Sequence, residues 1–251
     1  VVPGDSSTAV TRTSDSNATK TWIAGSVTFP KAFEIGPYTS PDNVCFTLQY
    51  HDGVSFVDAT FATPSAEICE ASPGASTSFA WGNLRLGEYQ IIESLTPNGY
   101  ATITPIGFFV TETNPDVTLP EAENLLQPGD LRILKLEGPV PGTTWIGDPV
   151  TINISCADPN PPTGCTPGTL VRTVVFPTGQ TDPLLETGFA EGDYEICEVV
   201  PLGFTADQEC FPVTVLAGVA GAEAPLVTFV NTPPTEGCTP GYWKNHTELW
   251  D

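Results

Sequence analysis

Two stretches of this chain of 251 residues share a pattern: LGEYQIIESLTPNGY over residues 86–100 and EGDYEICEVVPLGF over residues 191–204. In each, a glutamate closes an alternating row, with Tyr89, Ile91 and Glu93 facing one way and Tyr194, Ile196 and Glu198 doing the same. Other rows also end in a polar group. Val27 and Phe29 lead to Lys31, Leu131 and Ile133 lead to Lys135, and Val227 and Phe229 lead to Asn231. A face dry enough to bury these groups disfavours charge, which lowers a lysine's pKa and raises a glutamate's. A neutral amine and a proton-donating carboxyl can then coexist beside an amide. Lysine usage singles out the same positions: besides Lys31 and Lys135 the chain holds only Lys20 and Lys244.

The elements that must position these groups are short strands. Twenty-three Gly and 26 Pro punctuate a chain that is only 15% charged, as expected of strands joined by tight turns. The two glutamate boxes are in register over a long offset. Gly87 to Gly192, Tyr89 to Tyr194 and Glu93 to Glu198 are each 105 residues apart, and Lys31 to Lys135 is 104. A tandem duplication follows. The expected organisation is an N-terminal arm (1–21), two domains (22–127 and 128–232) and a Pro-rich linker with an aromatic tail (233–251). The short join at LLQPGDLRILK implies limited swinging between the domains. The last strand of the first domain offers two carboxamides: Gln127, at the offset of 104, and Asn124, at 107; we take Asn124 as the counterpart of Asn231.

These motifs resemble the Cna-B type, or SpaA-like, domains of bacterial surface proteins and pilins. The carriers are a lysine late in the first strand (GSVTFPK, GDLRILK), the glycine-tyrosine-glutamate box, and a closing strand ending in Asn (LVTFVN). The resemblance spans roughly residues 22–233. It implies an all-β chain of two tandem Ig-like or prealbumin-like β-sandwiches, each closed by an isopeptide bond that the lysine makes with the asparagine, aided by the glutamate, with release of ammonia. Carried over residue by residue, the sets are Lys135, Glu198 and Asn231 in the second domain and Lys31, Glu93 and Asn124 in the first. The competing expectation is that each lysine snorkels out from a strand end and makes an ordinary ion pair.

Seven cysteines point to an oxidising compartment. Cys45 and Cys69 are expected to pair, Cys156 and Cys165 to close the loop ADPNPPTG, and Cys197 to meet Cys210 on the returning strand. Four cysteines in the second domain allow three connectivities, so that assignment is a preference, and Cys238 is left over. The chain opens at Val1 on a polar segment, from which we expect an exported protein after signal-peptide removal, extracellular or on the cell surface. Asn17, Asn153 and Asn245 lie in glycan-acceptor sequons. The formal charge of -22 opposes binding to nucleic acid or an anionic membrane. No stretch reads as a membrane span.

No cofactor is expected: the acidic residues lack the spacing of a calcium loop, and Cys238 with His246 does not make a metal site. His51 lies in the turn QYHDG and no hydrolase or phosphate-loop motif is present, so the chain is not expected to be an enzyme beyond an autocatalytic crosslink. Three functions are ranked. The first is a subunit of a stalk or self-assembling filament, with self-association through the arm, whose STAVTRT alternation suits an added edge strand, or through the tail. The second is a monomeric adhesin or ligand-binding module, and the third an enzyme.

Overall fold

The computed structural model describes residues 10–13, 19–22, 24–138 and 143–233. The chain divides into two compact units, Val1–Gly129 with Leu216–Val219, and Asp130–Val215 with Ala220–Asp251. It is all-β, and its one helical turn among the described residues is the 3-10 segment Gly221–Glu223. No helix of the described residues is long and apolar enough to cross a membrane.

The first unit contains β1 (Val10–Thr13), β2 (Thr19–Trp22), β3 (Gly25–Phe33), β4 (Asn43–His51), β5 (Phe56–Asp58), β6 (Glu67–Ala71), β7 (Ser76–Leu84), β8 (Gly87–Leu95), β9 (Ile106–Val110), β10 (Asp116–Thr118) and β11 (Ala122–Asn124). In the arm, β1 and β2 pair with each other as an antiparallel two-stranded sheet, the one pairing either makes among the described residues. The body has two sheets. In one, β3 is flanked by antiparallel β7 and, on its other side, by parallel β10 and β11. In the other, β4 lies between β8 and the pair β5 and β6, and β9 completes the edge beyond β8.

Period-two alternation builds this layering. Along β3 every second residue is buried, so Val27, Phe29, Lys31 and Phe33 face inward. They meet Phe46 and Leu48 of β4 and Tyr89 and Ile91 of β8. Phe46 packs edge-on against Phe29 at 5.1 Å and against Phe79 of β7 at 4.8 Å, which ties one sheet to the other.

The second unit repeats the plan with β12 (Gly129–Glu137), β13 (Thr143–Thr144), β14 (Val150–Cys156), β15 (Leu170–Phe176), β16 (Leu184–Phe189), β17 (Gly192–Glu198), β18 (Thr205–Ala206), β19 (Cys210–Val215) and β20 (Leu226–Thr232). One sheet runs β13-β12-β20-β18 with β16 also on β12, and the other runs β15-β14-β17-β19. Its core joins Leu131, Ile133, Val227 and Phe229 to Ile152, Ile154, Tyr194 and Ile196. In both units the first long strand and the last strand are therefore parallel neighbours, β3 with β11 and β12 with β20.

The glycine and tyrosine of each box have a local job. Gly87 and Gly192 take φ values of 154° and 153°, which side chains rarely adopt, and a Cβ on Gly192 would fall 2.6 Å from the Pro162 nitrogen. Two residues on, the buried tyrosine hydroxyl turns back to the chain before the strand. Tyr89 donates to the Arg85 carbonyl and accepts from the Arg85 N–H, while Tyr194 donates to the Ala190 carbonyl. Burial pushes both phenols up to about 12, so they remain protonated donors.

Candidate functional site

In the second unit Lys135, Glu198 and Asn231 come together on the inner face. The alternation of β12 turns Lys135 inward, that of β17 does the same for Glu198, and β20 brings in Asn231; the lysine and asparagine are fully buried and the glutamate nearly so. Lys135 Nζ lies 3.1 Å from Glu198 Oε2, at an ion-pair distance but without the angles of a hydrogen bond, and 5.1 Å from the Trp145 ring centroid. Trp145, itself fully buried, is held by its indole N–H donating to the Asp148 carbonyl.

Burial is the dominant influence on both charged groups. It lowers the Lys135 pKa, against the attraction of Glu198, and raises the Glu198 pKa, against that of Lys135. Both shifts favour a neutral amine beside a protonated carboxyl. The ladder fixes where the amide sits: Lys135 is opposite Phe229, and Asn231 lies two residues further, opposite Glu137.

The first unit uses the same register. Lys31 is opposite Ala122, and Asn124 lies two residues further, opposite Phe33. Asn124 is fully buried whereas Gln127 is exposed, so the structure places Asn124, and not the residue at the simple offset, beside the lysine strand at the matching position. Lys31 is also fully buried, 4.3 Å from the Phe33 ring centroid, with Nζ donating to the Ala32 and Ala122 carbonyls. Desolvation lowers its pKa to about 8, with the charges of Glu93, Glu123 and Glu121 acting the other way.

Glu93 is arranged differently from Glu198. Its two carboxylate oxygens accept from Asn124 Nδ2 at 3.0 and 3.1 Å, and Oε2 also accepts from the Ile103 N–H at 2.8 Å. Asn124 Nδ2 donates in addition to the Ala101 carbonyl, while its Oδ1 is buried without a partner. Neither lysine snorkels, and in both units an amine, a carboxyl and a carboxamide are gathered at the seam between first and last strands. Such a set can carry out aminolysis: the neutral amine adds to the amide carbon while the carboxyl relays the protons.

Disulfides join Cys45 to Cys69, Cys156 to Cys165 and Cys197 to Cys210. The first and third link directly opposed residues of neighbouring strands, and the second closes the loop after β14. Cys197 immediately precedes Glu198, so that staple fixes the end of β17 where the glutamate turns inward. Asn153 lies mid-strand on β14 with Oδ1 accepting from the Thr173 hydroxyl at 3.0 Å. The expectations for Asn17, Asn245, Cys238 and the tail from residue 234 lie outside the described residues. His51 accepts the Gly53 N–H in its turn. Sequence reasoning missed the ring over each lysine, Phe33 and Trp145, together with the Ile103 N–H and Ala101 carbonyl that hold the first site. Aromatic residues flanking the lysine strands were the available signal.

The chain is similar to the Bacillus anthracis TIE protein, at 16% identity and a TM-score of 0.49, over 85% of this chain and 35% of that one. It is also similar to a streptococcal ancillary pilin, at 17% identity and a TM-score of 0.37, over 84% of this chain and 63% of that one. A third neighbour is GBS52, the minor pilin of Streptococcus agalactiae, at 13% identity and a TM-score of 0.32, over 83% of this chain and 96% of that one. This chain thus spans about a third of the first of these and under two thirds of the second. No protein-family model matches the chain, and no curated protein does.

Proposed function

We propose that the chain is a non-enzymatic structural subunit of an extracellular stalk or self-assembling, pilus-like filament at the cell surface, built from modules 22–127 and 128–232. In this reading each module is locked by an isopeptide bond, Lys31 to Asn124 and Lys135 to Asn231, with Glu93 and Glu198 handling the protons. The observation that carries the reading is the burial of a lysine and an asparagine at one register in both units, each set completed by the glutamate of its box. An ion pair kept only for stability is a poor explanation, because burying charge costs more than an apolar pair of the same shape. A bond that consumes the amine removes that charge.

A crosslink at this seam suits load-bearing. The lysine and asparagine lie near the points where the chain enters and leaves each module, so tension would pass through the bond and bypass the rest of the sandwich. Three disulfides fit the same demand for endurance in an oxidising compartment. Neighbouring copies would join through the arm or the tail.

Intact mass of the reduced chain tests the bonds, with the expected result one ammonia lighter for each bond and restored by Lys31→Ala or Lys135→Ala. A full-length mass in both units would refute the covalent reading. Electron microscopy tests assembly: filaments that vanish on deletion of residues 1–20 support joining through the arm, and filaments unchanged by the deletion move the joint to the tail. A strictly monomeric protein would favour a ligand-binding surface module instead.

A further inference from the structure

The two strands of the arm make an incomplete element. Among the described residues β1 and β2 pair with each other and with no other strand. A two-stranded sheet alone is marginal in water and needs a third strand or a packed face to hold it. Its register adds a liability, because Arg12 shares a rung with Lys20, and like charges directly opposite destabilise a strand pair. The strands VTRT and TKTW hold no acidic residue to offset the two cations, although the chain as a whole has a formal charge of -22. A free strand edge on an anionic surface would supply what this element lacks.

The two modules present one edge that fits. Folded proteins guard sheet edges with proline, charge, bulges or a covering segment, and glycine weakens a strand as a template. Among the described residues, four edge strands run to six residues or more: β7, β15, β16 and β19. β7 carries Gly82, whose N–H and carbonyl are already bonded to Thr63. β16 carries Glu186 and Gly188, and β19 carries Pro212, which has no N–H to offer. β15, LVRTVVF, pairs with β14 alone and contains no proline, glycine or acidic residue. Val171 and Val175 are exposed on it. Its single charge, Arg172, alternates to the side of buried Val174 and Phe176 and pairs with Glu186 at 3.0 Å, so it does not guard the edge. The module that bears this edge, 128–232, holds thirteen acidic residues and three basic ones, and of the three Lys135 is buried.

We propose that β15 of one copy is the edge onto which the arm of the next copy adds, with β1 as the joining strand; this rests on the reading of the chain as a self-assembling subunit. Only two residues separate β2 from β3, so β1 is the strand further along the chain from its own module. The addition gives a continuous sheet in the order β2-β1-β15-β14-β17-β19. It pairs the outer backbone groups of β15, provides the arm with its missing neighbours, and sets Arg12 and Lys20 against an acidic module. Donor and acceptor are different surfaces, so each copy that joins leaves a free arm at one end and a free β15 at the other, and the contact repeats into an open chain rather than closing as a pair.

The test uses two variants of the full chain. One carries Val171→Lys and Val175→Lys, which guard β15 and place cations against the cationic arm; the other lacks residues 1–20. Each is expected to lose filaments in electron microscopy, whereas Leu202→Lys, at a fully exposed loop position, is expected to keep them. Mixed together, the two variants should form a 1:1 complex in sedimentation velocity, since one retains an arm and the other a free edge, and added salt should weaken it. Placing Arg12→Glu and Lys20→Glu in the arm-bearing partner, which leaves both modules untouched, should weaken the complex about tenfold. Filaments that persist in the Val171→Lys, Val175→Lys chain would overturn the proposal. So would a mixture that stays monomeric, or a homodimer of the arm-deleted chain, which would mark β15 pairing with its own copy. Undiminished filaments from an otherwise wild-type chain with Arg12→Glu and Lys20→Glu would overturn it as well, independently of how the lysine variant folds. A wild type that stays monomeric would instead overturn the self-assembly reading, and this proposal with it.

Discussion

Force applied along the chain should distinguish a crosslinked second unit from one held by strand pairing alone. In the proposed linked form, tension entering at β12 reaches Lys135, crosses to Asn231 and leaves along β20, so the 96 residues of separation between them never extend. In Asn231→Ala the bond cannot form, and unfolding releases that segment. At about 3.4 Å per residue its contour length is about 330 Å. The disulfides still close loops with separations of 9 and 13 residues, leaving 96 - 9 - 13 = 74 residues and about 250 Å of release before reduction. Single-molecule extension by optical tweezers or atomic force microscopy should therefore show no large step from the wild-type second unit. The variant should show a step near 250 Å, growing to about 330 Å under reductant. A wild-type step of either size would refute the reasoning, because a bridged chain has no route to that length.

Three further outcomes follow from the geometry. In Asn124→Ala the amine of Lys31 remains, and burial holds its pKa at about 8 against 10.5 in the reference state. The folded form then binds fewer protons than the unfolded one, so this contribution to stability is full above the unfolded pKa and lost as pH falls through about 8. Urea midpoints of the first unit should rise between those values for Asn124→Ala, whereas a linked wild type has no amine there to titrate; parallel profiles would count against a buried free amine. Tyr89→Phe strands both the N–H and the carbonyl of Arg85, while Tyr194→Phe strands only the Ala190 carbonyl. The first should cost about 2–3 kcal/mol and the second about 1 kcal/mol by chemical denaturation, and equal costs would contradict the local accounting. Replacing Cys197 and Cys210 with Ser opens a loop of 13 residues of separation and should cost about 3 kcal/mol in the chain-entropy model, read as a lower denaturation midpoint for the second unit.

Much of this architecture was legible in the alternating rows. Val27, Phe29 and Lys31, or Tyr194, Ile196 and Glu198, declare their inward face by period two, because burial of one sheet face permits no other register. Asn124 was harder to place, since the first unit breaks its last strand. Thr28 is opposite Thr118 and Lys31 is opposite Ala122, so three steps along β3 match four on the partner, which detours through Leu119–Glu121. A fixed sequence offset cannot follow such a detour, whereas pairing depth on β3 can. Phe33 and Trp145 were invisible for a related reason. Their roles depend on which residue lies across the sheet or the core, and no local pattern records that partner.

The distribution of unsatisfied polar atoms bears on what drives the second site toward the proposed linkage. Elsewhere in the second unit buried groups find partners: Asp193 accepts from Asn160 and Thr214, and Trp145 donates to Asp148. At the second site they do not: Lys135 Nζ, both Glu198 carboxyl oxygens and both side-chain polar atoms of Asn231 are buried without hydrogen-bond partners. Left as separate side chains, each such group carries a desolvation cost of the order of 1–3 kcal/mol. Forming the proposed amide would turn a chargeable amine and a primary amide into one neutral linkage and expel an ammonia, which removes two of the unpaired centres. Strand pairing brings the groups together at a cost in desolvation, and the chemistry they are equipped to perform would relieve it. The same dry face that makes the unlinked state expensive would thus drive it toward the linked one.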